Sequence, residues 1–226
     1  MRKKENIKYI IFDLDNTLIE HDFSNETEIL CNMMGIPYSK EFEEQFVYFM
    51  TNYSDFFADC KLTRKLYADM LTSKIPYLLE YSKDGTDLLK AISTNDTIVK
   101  RNDFKDLLRV VAESGYKILA FTDWFADDQS QKLKQLGYYE YFSKVYGWDN
   151  SFCKADVRSM DKILKKDKSN YLFIGDSLAH DIALANKVGI ESIWYNEMGK
   201  KIRNKEEKKI SPSYTVYRLE SILSII

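Results

Sequence analysis

The sequence predicts an α/β chain: a parallel sheet covered by helices on both faces, with a smaller helical domain inserted after the first strand. Short apolar, β-branched runs alternate with stretches of helical periodicity through the second half of the chain, the pattern of strand–helix–strand units. Glycine and proline number only 8 and 3 in 226 residues, too few for a turn-rich all-β sandwich. The length suits one large core, or a core carrying an insertion. The stretch from about Ile19 to about Val99 supplies that insertion, since it offers helical periodicity and little strand signal.

Ile7 to Phe12 (IKYIIF) reads as a buried strand that ends abruptly in Asp13-Leu14-Asp15-Asn16. In the insertion, Phe42, Phe46, Phe49 and Tyr53 fall on one helical face, and Leu66, Met70 and the Tyr77–Leu79 run continue the apolar supply. These side chains read mainly as core. A helix follows in which Phe104, Leu107, Leu108 and Val111 share a face and Gly115 closes the end. Tyr116 to Thr122 is the next strand, and Asp128 to Leu136 a helix closed by Gly137. Lys144 to Trp148 reads as a short strand and Val157 to Lys165 as a helix. Tyr171 to Ile174 is a strand running into Gly175-Asp176, Leu178 to Val188 a helix closed by Gly189, and Ile190 to Tyr195 another strand. Gly199 to Lys209 mixes both signs of charge, as a solvated loop does, before a last strand and the segment Leu219–Ile226.

Composition narrows the function classes. Lys and Arg total 33 against 35 Asp and Glu, a net charge of −2, so the basic excess of a protein that binds nucleic acid polymers is missing. No 18 apolar residues run together, and the apolar run behind the basic N-terminus is too short for a signal peptide. No membrane partner is expected. Cys31, Cys60 and Cys153 are scattered, and His21 and His180 offer no zinc spacing; reduced thiols in a cytoplasmic protein are the expectation. Gly199-Lys200 is no phosphate-binding loop, because Trp194 stands where the upstream glycine belongs.

Ligands of open α/β sheets bind outside the carboxyl ends of the strands. On this strand map Asp13 and Asp15 follow the first strand, Thr122 ends the second, and Asp176 ends the strand after Lys154, which itself opens a helix on the same side. Alone, each has a plain structural reading: Thr122-Asp123 and Asp176-Ser177 are helix caps, and a single lysine is solvated. As an ordered set they deliver acids, a hydroxyl and a cation to one rim.

The run Asp13-Leu14-Asp15-Asn16-Thr17-Leu18, preceded by Ile-Ile-Phe, resembles the first motif of the haloacid dehalogenase-like (HAD) superfamily. Thr122 at the end of Ile118-Leu119-Ala120-Phe121 is similar to its second motif, Lys154 stands at its lysine position, and Gly175-Asp176-Ser177-Leu178-Ala179-His180-Asp181-Ile182 resembles the fourth. The resemblance covers Ile7–Leu18 and Asp103–Asn196. It implies a Rossmann-like core, residues 1–18 and 100–226, with a helical cap domain at 19–99. Two departures stand out: Ala155 follows Lys154 where relatives carry proline, and Asp123 follows Thr122 where they carry Asn or Gly.

Phosphoryl transfer needs positioning and charge neutralisation. A carboxylate nucleophile and an anionic phosphate repel, and Mg²⁺ with oxygen ligands relieves the repulsion. The expectation is therefore a Mg²⁺-dependent phosphohydrolase of small phosphate monoesters in which Asp13 forms an aspartyl-phosphate. Asp13 and Asp176 would hold the metal with the backbone carbonyl of Asp15, and Asp181 would stand behind them. Asp15 would protonate the leaving oxygen and then deprotonate water. Thr122, Asp123 and Lys154 would form the phosphate site. Asp15 also separates branches of the superfamily, since expelling a halide needs no proton donor.

Asn16 and the run Ser192-Ile193-Trp194-Tyr195-Asn196 resemble the branch containing pyrimidine 5′-nucleotidases and related small-molecule phosphatases. Nucleoside monophosphates are thus candidate substrates, and Glu20 and His21, at the junction with the insertion, candidate substrate contacts. His180 reads as a helix-surface residue. A mutase moving phosphate within a sugar needs the same core residues. A phosphate-accepting signalling or binding module also clusters such acids, but has no reason to carry the insertion.

Overall fold

Strands covered on both faces read as unbroken apolar runs, and the central strands of this chain are of that kind. The computed structural model describes residues 6–21, 26–56, 62–94, 98–99, 101–165 and 167–226. In chain order the elements begin with β1 (Tyr9–Phe12), β2 (Glu20–His21), α1 (Glu26–Met34), α2 (Lys40–Phe56), α3 (Arg64–Lys74), α4 (Gly85–Thr94) and β3 (Ile98–Val99). They continue with α5 (Asn102–Glu113), β4 (Lys117–Phe121), α6 (Ala126–Leu136), β5 (Phe142–Tyr146), α7 (Val157–Ile163), β6 (Tyr171–Gly175), α8 (Ala183–Val188), β7 (Glu191–Tyr195), β8 (Tyr214–Val216) and α9 (Glu220–Leu223).

Six strands form one parallel sheet in the order β5-β4-β1-β6-β7-β8, and β2 pairs with β3. The register sets Phe12 opposite Ala120 on one side and Ile174 on the other, so β1, β4 and β6 end level. Ile11, Leu119, Phe121 and Phe173 pack on Met160 and Ile163 of α7 and on Leu184 and Val188 of α8. Ile10 and Phe12 alternate to the opposite face and are equally buried. The result is the expected Rossmann-like α/β fold, a parallel sheet flanked by helices. The chain divides into two units, Met1–Glu20 with Lys100–Ile226, and His21–Val99; the first crossing falls two residues later than Leu18.

The smaller unit is helical. Phe42 and Phe46 stack at 5.9 Å between ring centroids, and Phe49 meets Tyr67 edge-on at 5.5 Å. Helices α3 and α4 approach so closely at Gly85 that a Cβ there would lie 1.9 Å from the Ala68 carbonyl oxygen. Leu66, expected in the core, is exposed because α3 turns Tyr67, Ala68 and Leu71 inward instead, and Leu79 is exposed while its neighbours Tyr77 and Leu78 are buried. The side chain of Tyr53 lies outside the described residues.

In the larger unit Phe104, Leu107, Leu108 and Val111 of α5 are all buried. Gly137 and Gly189 close α6 and α8 with φ of +72° each, a conformation that favours glycine. The helix expected over Leu178–Val188 is two pieces, a single π turn at Leu178–Ile182 followed by α8. Such turns widen a helix locally and are frequent at functional sites. Cys31 is a free, buried thiol, and Cys60 lies outside the described residues. No helix among the described residues is long and apolar enough to cross a membrane.

Candidate active site

The rim is built by strand ends. Asp13 continues β1 by donating its N–H to the Ile174 carbonyl at 2.9 Å. The chain then turns sharply: the Leu14 carbonyl accepts from the N–H groups of Thr17, Leu18 and Ile19 at 3.1, 2.8 and 2.8 Å. Asn16 makes the turn at φ +60°, which asparagine tolerates better than most side chains. The turn brings the Thr17 hydroxyl to Asp13 Oδ2 at 3.0 Å. Across the register, Thr122 follows β4 and Asp176 follows β6.

Asp13, Asp176 and Asp181 each offer a carboxylate oxygen within 4.8 Å of the other two, and all three are buried. Lys154 Nζ bonds Asp13 Oδ1 and donates to Asp181 Oδ1 at 2.7 Å. The other oxygen of Asp181 accepts the Ser177 N–H at 2.9 Å. It lies so close to the sheet that a Cβ on Gly175 would be 2.3 Å from it, which is why glycine ends β6. Lys200 pairs with Asp176. Its backbone is held by Asn196, which accepts the Lys200 N–H at 2.6 Å and donates to the Lys200 carbonyl at 3.0 Å.

Asp15 lies at the same rim with different partners. Its Oδ2 accepts from Gln129 Nε2 at 2.5 Å, and that nitrogen also reaches the Thr122 hydroxyl at 3.4 Å. Gln129 rides on α6, whose first N–H groups, at Ala126 and Asp127, donate to the Asp149 carboxylate at 2.6 and 3.0 Å.

Burial sets the electrostatics. It pushes the Asp13 carboxyl up to about 7, helped by the Asp181 charge and opposed by Lys154. Asp176 rises through burial and the Asp13 charge, against Lys200, and Asp181 rises through burial, against Lys154. Burial pulls the Lys154 ammonium down, but Asp13, Asp181 and Asp123 outweigh it and hold it well above its ordinary value. Three buried carboxylates thus face the buried Lys154 ammonium and the partly exposed Lys200. The donors are all hard oxygens clustered within reach of one centre, which suits a hard divalent cation.

The structure brings together Asp13, Asp15, Thr122, Lys154, Asp176 and Asp181 at one rim, with Asp181 inside the carboxylate cluster and not behind it. Asp123 Oδ1 accepts the backbone N–H of Lys154 at 2.8 Å, so the carboxylate anchors the lysine's backbone. Glu20 pairs with Arg101 at 3.2 Å, and Arg101 bonds Asp103 and Glu197 as well. The His21 side chain lies outside the described residues. His180 is exposed. Sequence reasoning missed Thr17, Gln129, Asn196 and Lys200. Thr17 and Asn196 had a signal, since both lie just past strands that end at this rim; Lys200 was read as part of a solvated loop.

Acids, a lysine and a threonine gathered at the carboxyl ends of central parallel strands define a Rossmann-like enzyme whose chemistry sits on the sheet edge. The family model for haloacid dehalogenase-like hydrolase matches residues 7–189, and the chain belongs to that family of hydrolases. Pyrimidine 5′-nucleotidase PynA of Streptococcus pneumoniae (strain ATCC BAA-255 / R6) is 25% identical over 234 residues, 97% of this chain and 94% of that protein. The HAD-hydrolase YfnB from Bacillus subtilis, bound to magnesium, superposes with a TM-score of 0.74 at 20% identity, covering 97% of this chain and 98% of that one. A 2-haloacid dehalogenase from Pseudomonas syringae pv. Tomato DC3000 gives a TM-score of 0.67 at 19% identity, covering 97% of each chain. At such identities the structural likenesses speak to the fold.

Proposed function

We infer that this hydrolase is a Mg²⁺-dependent phosphatase of small phosphate monoesters, nucleoside monophosphates among them. The observation that carries the reading is the pair Asp13 and Asp15: two carboxyls two residues apart in different surroundings, one among Lys154 and the acid cluster, the other on Gln129. Carboxyls in contrasting environments are suited to separate tasks. The full-length likeness to PynA supports the substrate class.

In this reading Thr17 and Lys154 orient the Asp13 carboxylate, an oxygen of which attacks phosphorus. As the P–O ester bond breaks, Asp15 passes its proton to the leaving oxygen. Asp15 then takes a proton from water, whose oxygen displaces Asp13 from phosphorus. The Thr122 hydroxyl and the Lys154 ammonium bind the non-bridging oxygens, and Asp123 fixes the backbone from which Lys154 reaches. Asp13, Asp176 and the Asp15 carbonyl would hold Mg²⁺, with Asp181 alongside. A bound Mg²⁺ would offset the repulsion between carboxylate and phosphate. Halide release from a carbon centre leaves the Asp15 proton without a task.

A phosphate-release screen with Mg²⁺ across nucleoside monophosphates, sugar phosphates and short-chain acid phosphates tests this. Many turnovers per chain are expected, abolished by chelation. At most one phosphate per chain, or halide release from 2-haloacids in place of phosphate release, would overturn it.

A further inference from the structure

Gln129 is fully buried, and both ends of its amide are informative. The nitrogen bridges Asp15 and Thr122. The oxygen, Oε1, is buried without a hydrogen-bond partner, an arrangement that costs about 1–3 kcal/mol. An unbranched apolar side chain of the same length would fill the space without that cost, so packing alone does not account for an amide here. A carboxyl on a turn has two rotatable bonds, the second of them soft, and a proton donor displaced by about 1 Å loses on the order of 100-fold in rate. Helix α6 supplies a firm platform: it is capped from outside by Asp149 and inserts Leu133 and Leu136 into the core.

We propose that Gln129 is a positioning residue that holds the Asp15 carboxyl at a fixed spacing from the Thr122 hydroxyl, so that proton donor and phosphate ligand engage the same bound ester. This rests on the phosphatase reading above. The amide touches no reacting atom; it acts mainly through Asp15, at 2.5 Å, its contact with the Thr122 hydroxyl being the longer and weaker one at 3.4 Å. Its effect therefore depends on how much the leaving group needs a proton. An alkoxide leaves poorly unless protonated, whereas para-nitrophenolate leaves as the anion.

The test compares wild type with Gln129→Met, which keeps length and shape but donates nothing. kcat/KM is measured with para-nitrophenyl phosphate and with the alkyl phosphate turned over fastest in the screen. For the alkyl ester kcat/KM is expected to fall by about 10- to 100-fold, with KM within about threefold, while for the aryl ester kcat/KM stays within about threefold. Equal losses on both esters, or no loss on either, would overturn the proposal and leave the phosphatase reading standing. If Gln129→Met does not melt cooperatively, Gln129→Leu carries the same comparison, since its side chain is apolar and cannot donate. Wild type inert towards both esters would remove the reading and this inference together.

Discussion

Asp13 concentrates the tension in the site. It sits in a dry pocket beside Asp181, and only part of that burden is relieved by Lys154 and Thr17. Replacing it with asparagine removes the nucleophile, so Asp13→Asn is expected to lower phosphate release by about 10³-fold or more, read in the Mg²⁺ assay. The same change should stabilise the metal-free protein. The Asp13 carboxyl is held at about 7 in the folded chain against an ordinary 3.8, so the folded state binds the proton more tightly than the unfolded one. That contribution is complete below about pH 4 and is lost as pH rises through about 7. In EDTA, the melting temperature of wild type should therefore fall across this window, and the fall should flatten in Asp13→Asn. A wild-type curve that rises with pH there would contradict the assigned burial of the cluster.

At the scale of elements, α6 and the turn after β1 do most of the positioning. Helix α6 begins at Ala126, two residues before the start that periodicity predicts, because Asp149 accepts its first N–H groups from another part of the chain. A capping carboxylate contributes about 1 kcal/mol. Asp149→Ala should lower stability by that order in a denaturant titration and lower kcat as well, since the helix carries Gln129 to Asp15. Loss of stability with turnover unchanged would separate the helix start from the site. The π turn at Leu178–Ile182 has a comparable role. It lets Asp181 fold back to the Ser177 N–H and meet Lys154, which the helical pattern of the sequence did not show.

For the molecule as a whole, the strongest expectation is linkage between metal and stability. The Asp13–Asp176–Asp181 cluster gathers acids from two strand ends and a helical turn of one unit, Met1–Glu20 with Lys100–Ile226. An ion bound there binds only the folded chain. Mg²⁺ at about a hundred times its Kd should add about 2.7 kcal/mol, seen as a rise in melting temperature that Asp176→Asn removes. No Mg²⁺-dependent rise would mean that the acids do not act as a ligand set. The alternation of strands and helices, the helical character of the insertion read at 19–99 and the acids at strand ends were all legible before any coordinates. What was not legible were contacts between distant positions: Gln129 lies 114 residues from Asp15, and Lys200 lies 24 from Asp176.

The sequence by itself determined the parallel α/β class, the helical insertion, and the rim at which Asp13, Asp15, Thr122, Lys154 and Asp176 stand. Apolar periodicity and abrupt strand ends are local properties, and they dictate which face is buried and where each strand stops. Tertiary structure alone decided that Asp181 joins the carboxylate cluster, that Asp123 anchors a lysine, that Glu20 serves Arg101, and that Gln129 holds Asp15. Those outcomes depend on which polar groups compete for the same partner once water is excluded, and no local pattern of residues encodes the winner.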